Sequence, residues 1–324
     1  ILLNIPSKVD AFENSLKTIN ILMPSPFVNS TSKLIKEFNT KNKLNIRIKI
    51  TSGPRETEAV SDLAISSLLL GDNTYDLILI DVTWLPKYAS AGWLAPMNSY
   101  INKDNWSSLA KGAQKGNSYK GKIYRYPFTA DMGLLYWRTD LMDKPPKTNN
   151  QLIQISKRLI KTKKVKYGYV WQGKQYEGLS CVYLEVLNGF GGKWLNYKQR
   201  PELNKQPSIK AINWMSNLIK FGISPIAVTN FTENETLQSF KAGESAFMRN
   251  WPYAWAELQK KDSLVKGKVS VSEMVSEKGN KPSATLGSWG FSITANSKYK
   301  KESYNVIKFL TSKESQKYLF INHG

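Results

Sequence analysis

Two aspartates in this chain close apolar, strand-like runs. Asp81 ends "LILID" and is followed by Val82, Thr83 and Trp84; Asp131 sits between two such runs in "YPFTADMGLLYW". In an open α/β sheet the carboxyl ends of the strands face the crevice where ligands bind. A carboxylate placed there accepts two or more hydrogen bonds and suits vicinal hydroxyls. Each aspartate also has a plainer reading, as a helix cap for Asp81 and as a turn residue for Asp131.

Aromatic residues supply the complementary chemistry. The stretch "RNWPYAW" (249–255) sets Trp251, Tyr253 and Trp255 at alternate positions around Pro252. Proline lacks an N–H and does not continue a central strand. The residues after it are good helix formers, so a strand ends at Arg249 or Asn250 and a helix follows with Pro252 in its first turn. That order puts Trp251 and Tyr253 at the strand-to-helix turn and Trp255 in the helix core. Trp289 stands near another strand end, beside Gly287. A flat indole or phenol covers the apolar C–H face of a pyranose while carboxylates bind its rim. Any one of these rings taken alone is better read as core packing; their coincidence with aspartates at strand ends points to a polyol ligand.

Other chemistries lack material. Cys181 is the sole cysteine and His323 the sole histidine, so no intrachain disulfide, cysteine metal cluster or histidine-rich zinc site can form, and a Ser-His-Asp triad has only a histidine next to the chain end. Cys181, within "LSCVYLEVL", reads as a small buried hydrophobe. "NGFGG" (188–192) closes a helix and precedes no Lys-Ser/Thr, so it is a helix terminus and not a phosphate loop. No cofactor is expected. The chain carries 46 basic and 25 acidic residues, a net charge of +21. The lysines are spread throughout, which reads as compositional bias and not as a nucleic-acid surface.

The elements that must position these groups alternate in period. Strand (18–24), helix (30–43), strand (45–50), helix (56–72) and the continuous apolar strand (75–81) give a βαβαβ order and predict an open sheet with helices on both faces. A second alternation runs from a helix at 147–163 to a strand at 245–250, with strands at 268–274 and 287–297 and one or two helices over 301–320. A chain of 324 residues suits two such α/β lobes. The first 16 residues read as an added helix or a tether remnant, with any targeting peptide removed or never there.

Four ordered motifs resemble one family. "YPFTADMGLLYWRTDLMDKPPKTNNQL", "GYVWQGKQYEGL", "GESAFMRNWPYAW" and "LGSWGFSITANS" are similar to segments of the extracellular solute-binding proteins of ABC importers, of the maltose-binding type, in the branch that binds trehalose, maltose, sucrose or glucosylglycerol. The resemblance covers residues 18–324. It implies the two-lobe periplasmic-binding-protein fold, type II, with residues 1–125 and 286–324 in the N-terminal lobe and 126–285 in the C-terminal lobe, closing on a sugar in the interlobe cleft. It further implies ligand contacts from Asp81, Asp131, Trp251, Tyr253, Gly287 and Trp289, with Ser288 replacing a glycine of the family motif. Glu273 and Arg55 are weaker correspondences. Family members continue past "NHG" with helices that complete the second lobe and with a further sugar-binding arginine, which has no counterpart in this sequence.

The function so implied is a non-catalytic, monomeric periplasmic receptor for a small α-glucoside or compatible solute, delivered to the transmembrane subunits of an ABC permease, with lipid anchoring before processing left open. Three alternatives stand beside it: a glycoside hydrolase using Asp81 and Asp131 as its carboxylate pair, a nucleic-acid-binding protein, and a glycerol-phosphate-type receptor with Arg55 on the phosphate.

Overall fold

Strand Leu77–Asp81 is buried at every position, as a strand covered on both faces must be. It is the centre of a five-stranded sheet in the order Ile46–Gly53, Lys17–Pro24, Leu77–Asp81, Trp289–Ile293, Tyr126–Pro127. The first three strands run parallel. Trp289–Ile293 lies antiparallel to both its neighbours. The computed structural model describes residues 16–71 and 74–323; the segment read as an added helix or tether, apart from its last residue, Leu16, falls outside them. The chain forms two units, one of residues up to Ala130 together with Gly287–His323, the other of Asp131–Leu286.

Period-two alternation builds the first unit. Ile19, Ile21, Leu77, Leu79, Phe291 and Ile293 join one apolar layer with Leu34, Phe38, Ile307 and Leu310. Leu22, Ile78 and Ile80 face the other side, against Ala64, Leu85 and Tyr88. Helices therefore cover both faces, as the βαβαβ order predicts. Helix Ser25–Lys41 begins earlier than expected because Pro26 fits its first turn. Two asparagines close the sheet's free edge. The Asn39 amide donates to Ile48 O (2.9 Å) and accepts from Ile48 N (2.8 Å), and Asn42 treats Ile46 in the same way at 2.9 and 3.4 Å.

The second unit holds a four-stranded sheet in the order Val269–Ser272, Leu134–Arg138, Ser245–Asn250, Tyr167–Val170. Leu135, Trp137, Tyr169 and Phe247 pack on one side. Tyr136, Val170 and Met248 pack on the other. Ser245–Asn250 is buried throughout and ends where expected. The following helix, Ala254–Leu258, starts two residues after Pro252. Its buried residues are Ala254 and Leu258, so Trp255 turns outward and is 42% exposed. The core position expected for Trp255 is thus wrong: the proline turn resets the phase, and the helical period turns Ala254 and Leu258 inward in its place.

Candidate functional site

In the first unit the site is built on two strand ends. Asp81 is the last residue of its strand and 9% exposed. Its Oδ1 accepts from Thr83 N (2.9 Å) and Thr83 Oγ1 (2.8 Å), which caps the short 3₁₀ turn Val82–Trp84. The capping reading of Asp81 is therefore real, yet it engages one oxygen; Oδ2 accepts no hydrogen bond among the described residues. Burial raises the Asp81 carboxyl above the usual aspartate value, while the Thr83 bonds and the charge of Arg125 pull it back. Trp289 is the direct register partner of Asp81, and opposed residues of antiparallel strands project to the same face. The half-buried Trp289 ring leans on Phe27, with centroids 5.4 Å apart.

Beneath lies a residue that the sequence reading missed. Arg125 is fully buried and ends on neutral acceptors: Ile80 O (3.2 Å), Asn117 Oδ1 (2.5 Å), Ser288 Oγ (2.9 Å) and Ser288 O. Burial lowers its pKa to about 10, against the opposing pull of Asp81. Ser288, the departure from the family glycine, is one of its anchors.

In the second unit the turn after Asn250 carries the aromatics. Trp251 is half-buried and held at four places: Nε1 donates to Glu233 Oε1 (3.2 Å), N donates to Asn250 Oδ1 (2.8 Å), O accepts from the Tyr136 hydroxyl (2.8 Å), and the Arg249 guanidinium lies 3.9 Å from the ring centroid. Arg249 is itself fully buried. It forks onto Glu185 through Nε (3.0 Å) and Nη2 (2.6 Å) and reaches Gln172 Oε1 at 3.3 Å. Burial alone would lower the Arg249 pKa; the charge and hydrogen bonds of Glu185 outweigh it and raise it. Gly133, two residues past Asp131, makes room for this pair: a Cβ there would overlap Glu185 Oε1 and stand 2.7 Å from Arg249 Nη2.

The remaining candidates are less embedded. Asp131 and Tyr253 are half-buried and belong to the second unit, and Gly287 is half-buried in the first. Arg55 and Glu273 are exposed. Asp81 and Asp131 lie in different units. Cys181 is buried as expected, but its thiol donates to Glu177 Oε1 at 2.6 Å, and burial with that carboxylate pushes its pKa up. The described residues contain no cluster of three or more His, Cys, Asp or Glu side chains placed to hold a metal. No helix among them is long and apolar enough to cross a membrane. Sequence reasoning also missed Glu233, Tyr176 and Glu185; Tyr176 lies inside the "GYVWQGKQYEGL" motif, whereas Glu185 and Glu233 stand outside all four motifs.

Two mixed α/β units, the first completed by a strand returning from late in the sequence, are the architecture of the type II periplasmic-binding-protein class. The chain belongs to the bacterial extracellular solute-binding protein family, whose model matches residues 25–317. It is 35% identical over 282 residues to a probable ABC transporter-binding protein of Deinococcus radiodurans, an alignment spanning 83% of this chain and 66% of that one. It is 27% identical to the mannitol-binding protein of Pseudomonas aeruginosa over 74% of this chain and 56% of that one. Among solved structures, maltose-bound T. maritima MalE3 superposes with a TM-score of 0.88 at 30% identity, covering 95% of this chain and 80% of that one. The chain spans between 38% and 66% of the length of the first three curated relatives it matches. The two-lobe periplasmic-binding-protein fold expected from the sequence is the fold found.

Proposed function

We propose that this chain is the sugar-binding receptor of an ABC importer, acting in the periplasm without catalysis and delivering a small α-glucoside to permease subunits. The observation that carries the reading is the Asp81–Trp289 pair: a buried carboxylate with one oxygen committed to its own turn and the other accepting no hydrogen bond among the described residues, in register with an indole at the end of a central strand. A carboxylate oxygen so placed accepts hydroxyls, and the ring offers an apolar face beside it. In the second unit Asp131, Trp251 and Tyr253 supply the same two chemistries, and in the first Gly287 lets backbone approach the ligand. Glu273 and Arg55, both exposed, contribute at the periphery. The relatives and structures named for maltose and mannitol support a carbohydrate ligand.

The test is a thermal-shift and calorimetric panel of trehalose, maltose, sucrose and glucosylglycerol. A bound sugar raises the apparent stability of the native state. Asp81→Ala and Asp131→Ala are expected to weaken the best ligand by about 1.5–3 kcal/mol each, the range for a hydrogen bond to a charged group. Mass balance on the sugar should stay unchanged. Absence of binding across the panel, or hydrolysis of the sugar, would overturn the receptor reading.

A further inference from the structure

Glu233 is the first residue of helix Glu233–Lys241. It does not cap that helix; Thr232 and Glu235 form the capping box. Its carboxylate is free to serve elsewhere and bridges two aromatics, taking the Trp251 Nε1 hydrogen on Oε1 (3.2 Å) and the Tyr176 hydroxyl on Oε2 (2.7 Å). The backbone is tied to the same place. Asn250 Nδ2 donates to Glu233 O (3.2 Å) while Asn250 Oδ1 accepts from Trp251 N (2.8 Å). Trp251 is thus linked to Glu233 at both its backbone and its ring. Arg249 covers one face of the indole at 3.9 Å, so a ligand can stack only on the other face of this half-buried residue. Tyr176 is seated as firmly: burial and then the charge of Glu233 push its hydroxyl pKa far up, so it stays a donor. Gly178 leaves the space its hydroxyl fills, since a Cβ there would overlap Tyr176 Oη.

We propose that Glu233 is a positioning residue that locks Trp251 and Tyr176 as one rigid aromatic pair, and that this pair selects cyclic pyranosides over acyclic alditols. The proposal rests on the sugar-receptor reading above. With Nε1 committed to Glu233, the Trp251 ring has no donor left for a hydroxyl and can contribute only its flat surface. A pyranose presents a rigid C–H face, so stacking it on a ring that is already fixed orders neither partner further. An alditol must freeze several rotors to present a comparable face and gains less from the same platform. Rigidity of the pair therefore acts on the ratio of the two ligand classes more than on binding as such.

The experiment measures, for the whole chain, dissociation constants for maltose, trehalose and sucrose against mannitol and ribitol, alongside thermal midpoints, in wild type, Glu233→Gln, Glu233→Ala and Gly178→Ala. Glutamine still accepts from Trp251 and donates to the Tyr176 oxygen, so Glu233→Gln should hold the pyranoside-to-alditol preference within about threefold. Glu233→Ala frees both rings and should cut that preference by about tenfold, the scale on which lost preorganisation shows in affinity. Gly178→Ala should erode the preference in the same direction by displacing Tyr176 alone. A midpoint that falls while the preference stays constant shows a merely structural brace and overturns the proposal. So does a wild type that prefers alditols, or a Glu233→Ala variant that retains the preference. A wild type that binds none of the five probes overturns the receptor reading itself, and is distinguishable because no variant comparison is then needed.

Discussion

Asp81 and Trp289 face each other directly across the antiparallel join between the buried strand Leu77–Asp81 and the returning strand Trp289–Ile293. The pair couples residues that are far apart in the sequence, and both are anchored from below. The Trp289 backbone is bonded to Thr129 in both directions, at 3.1 and 3.0 Å. Ser288 holds the fully buried Arg125, whose charge acts on Asp81. Trp289 also leans on Phe27 and the apolar layer behind it. Trp289→Ala should therefore lose on two counts: sugar affinity by about 1–3 kcal/mol, as for a truncated interface anchor, and thermal midpoint by a measurable margin. Calorimetry and a melting scan on one sample separate the two.

The raised pKa of Asp81 gives a signed pH dependence. From the ordinary value of 3.8 up to its raised value in the fold, the folded chain holds the Asp81 proton more tightly than the unfolded chain does. Stability contributed at this site is accordingly greatest below that window, falls as pH rises through it, and is level above it. Asp81→Asn removes the titration, so its stability relative to wild type should climb as pH rises through the window. Sugar affinity should run the opposite way in wild type, growing as Asp81 ionises, and be flat in Asp81→Asn. Melting curves and titrations at matched pH values check both slopes.

The strand ends were legible because they follow from local pattern. A run such as "LILID" is buried on both faces, and the proline after Trp251 stops the strand Ser245–Asn250. The braces behind the site were not legible. Glu233 lies 18 residues from Trp251 and opens a polar helix whose start looks solvated in sequence. Arg125 stands in a stretch of lysines and tyrosines with nothing local to mark it for burial, yet the Ile80 carbonyl, Asn117 and Ser288 converge on it and permit full burial. Local period shows which way a side chain points; it does not show which distant acceptors meet it there.

The Arg249–Glu185 pair makes Gly133 a severe position. Any Cβ at residue 133 intrudes on the carboxylate and the guanidinium together. Separating a buried ion pair leaves uncompensated charge, at a cost of about 3–5 kcal/mol when one partner is lost outright. Gly133→Ala should approach that cost and should also disturb Trp251, which rests on Arg249. Denaturant midpoints, with the slope held constant, measure the first effect.

The amide plugs at the sheet edge predict a change in association state. Asn39 and Asn42 occupy the outward N–H and C=O of Ile48 and Ile46, groups that otherwise template pairing with another chain. The double variant Asn39→Ala, Asn42→Ala bares them beside exposed apolar Leu44. Light scattering should show concentration-dependent self-association that wild type lacks, with sugar affinity unchanged because Ile46 and Ile48 begin the edge strand whereas Asp81 ends its own, parallel strand at the other end of the sheet.

Trp251 and Trp255 lie four positions apart and should behave oppositely. Trp251 is fixed at backbone and ring, with its guanidinium-covered face inward. Trp255 is 42% exposed on the outer side of a helix whose buried residues are Ala254 and Leu258. Trp251→Ala removes a stacking surface and leaves Arg249 without its lid, so affinity should fall by about 1–3 kcal/mol and the near-ultraviolet circular dichroism should change. Trp255→Ala truncates a ring on the exposed side of the helix and should stay within about 0.5 kcal/mol of wild type in stability, as surface substitutions do. A large stability loss at Trp255 would mean that the helix after Pro252 is rotated from the orientation found. A large affinity loss there, with none at Trp251, would move the binding surface to the opposite side of the turn and sink the platform role assigned to Trp251.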